Sequence, residues 1–514
     1  MVHDHLVASA ARWPDKVAVI AGDQRLTYRE LDRASNRCAR GLVAVGVQRG
    51  DRIGIQLENS LETVIAIYGA LKAGAAILML NPSTKPDKLG YVLEDSRARV
   101  LILGARSLDA AAATLAALPG LASVVPVGAG AAAATACPSV PWSAIHDDQD
   151  DGPLDEQGID LDLAALLYTS GSTGDPKGVM LTHLNIGSAV RSIASYLALT
   201  PDDVVLNVLP LSFGYGLTQL FPTLMAGGTV VLERGILFPH VTLSQMAAHR
   251  ATGFALVPTI ATMLLGLDLS KYDLSSLRYI TNAGAGLPPE LAGRLRRQLP
   301  DVRLYLMYGQ TECLRASYLE PEQVDMRPDS VGRGIPNQEM WIADEAGVPV
   351  GPDVVGELVI RGPHVMAGYW QRPDETERKL RAGRLPGERV LHTGDLFRRD
   401  EAGYYYFVAR QDDIIKSRGE KVSPREVENA LYKMPEVLEA AVAGVPDALL
   451  GESIKAYVVV KPGATLNERQ VKRHCAMLLE EYMVPAAVEF RSELPKNERG
   501  KIVKRELLTT GLAK

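Results

Sequence analysis

Apolar residues first recur with helical spacing at Leu31, Ala34, Cys38, Leu42 and Val45, which share one face of a helix while charged residues fill the other. Thr27-Tyr28-Arg29-Glu30 ahead of them is a capping box, in which a hydroxyl and a carboxylate satisfy orphan N–H groups reciprocally, and Gly46 closes the pattern. Short apolar runs follow. Residues 52–57 predict a strand, 61–72 a helix and 75–80 a second strand, which together make a βαβ unit. Runs at 164–167, 204–208, 229–232, 254–257 and 277–281 predict further buried strands, so the first part of the chain reads as open α/β with mixed sheets flanked by helices. From about Asp329 the texture changes to antiparallel strands at 356–362 and to a hairpin of 395–399 with 404–408, turned by Asp400-Glu401-Ala402-Gly403, which predicts a small β subdomain. Beyond Arg410 the pattern predicts strands at 439–444, 454–460 and 488–491 and a helix near 466–481, a domain-sized α+β tail.

The bulk properties narrow the partners. A length of 514 residues exceeds one core and implies at least two domains. Net charge is −6, from 55 basic and 61 acidic residues, so no general field recruits nucleic acid or an anionic membrane. Cys38, Cys137, Cys313 and Cys475 have no paired spacing, which argues against a zinc site or disulfide framework and fits a reducing compartment. Met1-Val2-His3-Asp4-His5-Leu6 has no basic n-region leading into an apolar core, so a cytoplasmic protein is expected. Residues 110–140 carry no charge, but Pro119, Gly120, Pro126, Gly128 and Gly130 interrupt them; the expectation is a short helix, a strand near 123–127 and a loop, not a membrane span.

Chemistry concentrates first in the run from Tyr168 to Gly178. Gly171, Gly174 and Gly178 permit close backbone approach, Thr169, Ser170, Ser172 and Thr173 offer hydroxyl donors, and Lys177 adds a point charge, a composition suited to polyphosphate. It is not the common P-loop, which needs Ser or Thr directly after the lysine; here Gly178 follows.

This run resembles the phosphate-binding signature of the adenylate-forming superfamily, which comprises acyl-CoA synthetases, peptide-synthetase adenylation domains, aryl and fatty acyl-AMP ligases and beetle-type luciferases. Further motifs match in order across nearly the whole chain. The resemblance implies ATP as cofactor, with the loop 169–178 holding the departing phosphates. In Tyr308-Gly309-Gln310-Thr311-Glu312 it implies that Tyr308 packs on adenine, Thr311 donates to the α-phosphate and Glu312 coordinates Mg2+. Gly284 and Ala285, within Asn282-Ala283-Gly284-Ala285-Gly286, are the expected bed for the flat base. Asp395, in His392-Thr393-Gly394-Asp395, matches the ribose-binding acid, and Arg410 an arginine at the ribose and phosphate. Lys501 follows glycine in Leu494-Pro495-Lys496-Asn497-Glu498-Arg499-Gly500-Lys501, which is similar to the family's catalytic-lysine motif.

The resemblance also implies two domains, 1–411 binding AMP and a mobile 412–514 that rotates about Asp412 between half-reactions. In Asp413-Ile414-Ile415-Lys416-Ser417-Arg418-Gly419, Gly419 would line a tunnel for pantetheine and Lys416 would contact the adenylate. The expected second substrate is therefore a thiol, of coenzyme A or of an acyl or peptidyl carrier protein's phosphopantetheine.

The acid should be read from Phe213, Gly214, Tyr215 and Gln219. Where amino-acid-activating relatives carry an aspartate for the α-ammonium, this chain has Gly214, and a buried ammonium without a carboxylate costs several kcal/mol. With Leu306, Met307, Cys313 and Leu314 these residues predict an apolar pocket for a fatty or aromatic acid, with Cys313 a small hydrophobe rather than a nucleophile. The alternatives are an amino-acid-type enzyme loading a carrier protein and a luciferase-like oxidase; the ending Gly511-Leu512-Ala513-Lys514 lacks the Ser-Lys-Leu signal that often accompanies the latter.

Overall fold

Thr27 and Glu30 cap the helix Tyr28–Ala44 as expected: the Glu30 N–H donates to Thr27 Oγ1 at 3.2 Å, and the Thr27 N–H to Glu30 Oε2 at 2.8 Å. The same device starts the helix His183–Tyr196 at Thr182 and Glu468–Leu478 at Asn467. This is a computed structural model that describes residues 1–128, 137–155, 158–169, 176–417, 420–447, 451–497 and 501–509. Ser170, Gly171, Ser172, Thr173, Gly174 and Gly419 lie outside the described residues, as do the side chains of Asp412 and Lys416.

Three sheets organise the chain. In the first, Leu163–Thr169, Ala76–Met79, Arg52–Gln56, Val100–Gly104 and Ser123–Val127 run parallel, and Lys177–Thr182 and then Gly368–Tyr369 add antiparallel strands at one edge. Leu61–Lys72 is the crossover helix of the expected βαβ unit. The uncharged stretch forms the helix Ala105–Ala116 and the strand Ser123–Val127, and no helix among the described residues is long and apolar enough to cross a membrane.

The second sheet joins the expected antiparallel β region to a parallel run. Val17–Ala21, Thr229–Leu232, Val204–Asn207, Gly253–Leu256, Tyr279–Asn282 and Arg303–Tyr308 form a parallel run; Gln24–Thr27 at one end and, Gly368–Tyr369 apart, the antiparallel strands between Ser317 and Arg410 at the other continue it to 14 strands. The direction changes after Tyr308, where a short connection returns the chain as Ser317–Leu319, with Tyr308 opposite Ser317. Gly332 makes the next joint: its φ is +82°, and a Cβ there would lie 1.7 Å from the Tyr318 carbonyl oxygen. Gly332→Ala is expected to lower stability by roughly 2–3 kcal/mol, read from urea midpoints at unchanged slope.

The third sheet pairs Val437–Asp447 with Gly451–Val460 and is covered by the helices Pro424–Tyr432 and Glu468–Leu478 around Val427, Leu431, Val442, Ile454 and Val471. The helix expected to reach 481 stops at Leu478, because the following residues carry the chain back to the edge strand Ala487–Phe490. This lobe touches the body through Ser423 Oγ, which donates to the Val408 carbonyl at 2.5 Å, and Arg425, whose guanidinium lies 5.4 Å over the Phe407 ring.

Candidate functional site

Thr169 and Lys177 face one another as the last antiparallel pair of their two strands, so the segment that separates them starts and ends at one place. The Lys177 ammonium ion-pairs with Glu375 and lies 6.0 Å over the ring of Tyr369. Tyr369 in turn donates its hydroxyl to Glu312 Oε1 at 2.7 Å, while the Glu312 carbonyl accepts from the Met366 N–H at 2.8 Å. Burial first, and then Glu312, raise the Tyr369 pKa, which keeps it a proton donor. The edge strand Gly368–Tyr369 thus couples the cation of the Ser/Thr/Gly run to the acid of Tyr308–Glu312.

A second cluster centres on Asp395, which is 4% exposed. Its Oδ2 accepts from the Tyr308 hydroxyl at 2.7 Å and from Gln310 Nε2 at 2.8 Å, and its Oδ1 lies 3.5 Å from Arg410 Nε. Asp395 and Arg410 are register partners across the hairpin, Arg389–Arg399 against Tyr405–Arg410. Burial followed by Asp395 raises the Tyr308 pKa well above the phenol range. Arg410 is raised too: burial opposes this, but Asp395 and Asp413 outweigh it.

Lys501 reaches this cluster from the far end of the chain. Its backbone is held by Asn497, whose Oδ1 accepts the Lys501 N–H at 3.0 Å. Its side chain keeps open surface in the cleft between the lobes, yet the protein crowded around the ammonium lowers its pKa. Desolvation is the largest cause, Arg410 adds to it, and Asp395 and Asp413 oppose it. More than one hundred sequence positions separate Asp395 from Lys501, and the fold brings their charges into each other's range.

Gly284 follows the strand Tyr279–Asn282 with φ at +82°, exposed, beside half-buried Ala285. A Cβ on Gly286 would come within 2.5 Å of Arg425 Nη2, so this glycine leaves room for the C-terminal lobe as well as for a ligand. Phe213 and Tyr215 meet edge to face with ring centroids 6.3 Å apart, and the Tyr215 hydroxyl shares a hydrogen bond with Thr281 Oγ1 at 2.7 Å. A Cβ on Gly214 would meet Leu314 at an ordinary 3.5 Å.

Two pocket expectations change. Leu306 and Met307 are adjacent on one strand and so lie on opposite faces. Met307 is on the face of Tyr305 and its register partner Thr281, where Tyr215 docks, whereas Leu306 is on the other with Asn282. Gln219 is 5% exposed and donates back to the Tyr215 carbonyl at 3.1 Å, which turns one of its amide N–H groups to its own helix instead of a ligand. Cys313 is fully buried and its thiol is pushed up to about 12 by burial, so it carries no thiolate.

Sequence reasoning missed Gln310, Tyr369 and Glu375 as partners of the site. Gln310 stood inside the quoted Tyr308–Glu312 motif; Tyr369 and Glu375 gave no local signal, because their partners are distant in sequence. For Mg2+ the donor chemistry suits Glu312: this ion commonly takes one or two carboxylates and fills its shell with phosphate and water. Among the described residues no cluster of three or more His, Cys, Asp or Glu could hold a metal alone.

The two-lobed α/β body thus carries an acid–amide–phenol cluster, Asp395 with Gln310 and Tyr308, within range of Lys501 from the other lobe. Residues 6–370 match the AMP-binding enzyme family and residues 426–501 its C-terminal domain, and the chain belongs to that family. It is 36% identical to a feruloyl-CoA synthase of an Amycolatopsis species, over 98% of this chain and 97% of that protein. It is 33% identical to a long-chain-fatty-acid–CoA ligase of Bacillus subtilis, over 98% and 93%. The crystal structure of an anthranilate CoA ligase in complex with anthranoyl-AMP superposes with a TM-score of 0.90 at 29% identity, covering 99% of this chain and 96% of that one.

Proposed function

We propose that this protein joins a carboxylic acid to the thiol of coenzyme A through an acyl-AMP intermediate. The observation that carries the reading is the convergence of Lys501 from the C-terminal lobe on the Asp395–Arg410 pair of the body. An acid-activating enzyme needs a cation where carboxylate and phosphate, both negative, must meet. In the first half-reaction a carboxylate oxygen attacks the α-phosphorus of ATP, a new P–O bond forms, and the bond to the bridging oxygen breaks with its electron pair leaving on pyrophosphate. Lys501 offsets the charge at the junction, Thr311 donates to the α-phosphate, and Asp395 accepts from the ribose hydroxyls. Tyr308, Gly284 and Ala285 take the base, while Lys177, Thr169 and the Ser170–Gly174 segment receive the β- and γ-phosphates. Magnesium held by Glu312 supplies neutralisation of the phosphate charge.

In the second half-reaction the thiol sulfur attacks the acyl carbon, the C–O bond to AMP breaks with its electrons on AMP, and the thiol proton passes to solvent. Rotation about Asp412 would withdraw Lys501 and bring in Lys416 and Gly419 for this step, with 1–411 and 412–514 as the moving bodies. Phe213, Gly214, Tyr215 and Met307 favour a fatty or aromatic skeleton with no free α-amino group. A screen of acids for ATP–pyrophosphate exchange, followed by mass detection of the CoA thioester, tests this reading. Acid-dependent exchange with thioester formation is expected; exchange that yields thioester only with a carrier protein would reassign the acceptor, and ATP turnover indifferent to every acid would end the proposal.

A further inference from the structure

The largest side chain buried to within 2% exposure is a cation, Arg315, three residues past Glu312. Its guanidinium stacks 5.1 Å over the ring of Tyr215, and its charge acts on the hydroxyl of Tyr196, which itself bonds to Met307 Sδ at 3.2 Å. Arginine carries five N–H donors, and a π face with one hydroxyl satisfies few of them. Its Nε is buried without a hydrogen-bond partner, and among the described residues no carboxylate pairs with it.

Two other buried charges are neutralised by a partner of opposite sign. Asp203, 1% exposed, is gripped by Arg278 at 2.7 and 2.9 Å, and buried Lys72 meets Asp32 at 2.6 Å. Arg315 has no such carboxylate among the described residues. The backbone leading into it is unusual as well: Leu314, a branched residue, holds φ at +57°, and the Arg315 N–H closes a tight turn on the Cys313 carbonyl at 2.6 Å. Conformations of that kind persist where the surroundings need them, and they cluster at ligand sites.

Position gives the ligand. Tyr215 and Met307 lie on the Thr281 face of the sheet, the wall assigned above to the acyl group, whereas Tyr308 reaches Asp395 at the nucleotide. Arg315 is therefore placed beside the acyl skeleton, away from the carboxylate that is activated.

We propose that Arg315 is a specificity-determining residue that binds a second acidic oxygen group, carboxylate or sulfonate, at the far end of the acid. The inference rests on the ligase reading above and narrows it: the substrate has an apolar skeleton with an acid at each end. One end is activated, and the other fills the donors that the protein leaves open.

The test uses the full-length protein and matched probes in pyrophosphate exchange: a homologous series of dicarboxylates against monocarboxylates of equal length, and terephthalate and 4-sulfobenzoate against 4-methylbenzoate. A site built around a buried hydrogen-bonding group rejects analogues that lack its partner. Wild-type kcat/KM is expected to favour the doubly acidic member of at least one pair by about 10²-fold or more. Arg315→Met should erase that preference through KM with ATP affinity unchanged, whatever the change in melting temperature from lost packing on Tyr215, and Arg315→Lys should restore part of it. The sulfonate probe separates recognition of any oxyanion from recognition of a carboxylate. Monocarboxylates preferred in every pair, or a ratio unmoved by Arg315→Met, would show a purely structural arginine and overturn the inference while leaving the ligase reading intact. If the variants fail to fold, the wild-type ratios decide alone; if no acid of either kind supports exchange, the ligase reading falls and this inference with it.

Discussion

Alanine in place of Lys501 is expected to slow acid-dependent pyrophosphate exchange by about 10²- to 10³-fold, with ATP affinity nearly unchanged. The argument is electrostatic. The group lies near Arg410, Asp395 and Asp413 in a crowded cleft, where a fixed charge acts more strongly than in water. In the proposed reaction it offsets charge that builds only when the acid's oxygen closes on phosphorus, so its loss should fall on kcat and kcat/KM together. Thioester formation from preformed acyl-AMP should be affected much less, since the proposed rotation of the C-terminal lobe would withdraw Lys501.

The same residue sets a pH signature. Burial, reinforced by Arg410, lowers its pKa from the ordinary lysine value of 10.5, so the ammonium is lost at lower pH than a free lysine's. In the free enzyme kcat/KM should therefore fall on the alkaline side before ordinary lysine titration, and that limb should vanish in Lys501→Ala. A full rate in the variant, or an unchanged alkaline limb, would detach Lys501 from the chemistry.

Local signals were read well where the physics is local. The capping box at Thr27, the crossover helix Leu61–Lys72 and the strand Thr229–Leu232 follow from neighbours a few residues apart, and they form as expected. So does the antiparallel pairing that sets Asp395 opposite Arg410, although its strands are longer than expected. What escaped the reading depends on contacts between distant segments. How the strands after Asp329 attach to the parallel run is decided by Ser317–Leu319, which pairs with Arg303–Tyr308 on one side and Ser330–Gly334 on the other, and no periodicity announces it. The partners of Glu312 and Lys177, Tyr369 and Glu375, come from a strand and a helix that look like ordinary surface sequence. Placing Leu306 and Met307 in one pocket was an avoidable error, because strand alternation alone separates them. Arg315 was invisible for a different reason: a lone arginine is nearly always a solvated one, and only the folded chain shows this one buried.

Asp395→Ala should produce the opposite kinetic pattern to Lys501→Ala, raising the KM for ATP by about 10- to 150-fold. Hydrogen bonds to a charged acceptor are worth roughly 1.5–3 kcal/mol, and the proposal gives Asp395 the ribose hydroxyls of ATP. The carboxylate also organises its surroundings, since it accepts from Tyr308 and Gln310 and neutralises Arg410. Removing it leaves a phenol, an amide and a guanidinium without their shared acceptor, so a stability loss of about 2–3 kcal/mol should accompany the weaker binding. Asp395→Asn separates the two effects. The amide keeps the shape and one acceptor oxygen, which should return most of the melting temperature, but it lacks the charge that holds Arg410 and strengthens the sugar contacts. Titration calorimetry with a non-hydrolysable ATP analogue and thermal melts on both variants provide the readings. If Asp395→Asn binds the nucleotide as wild type does, the cluster is a structural bolt between the hairpin and the strand Arg303–Tyr308, and the ribose must be held elsewhere.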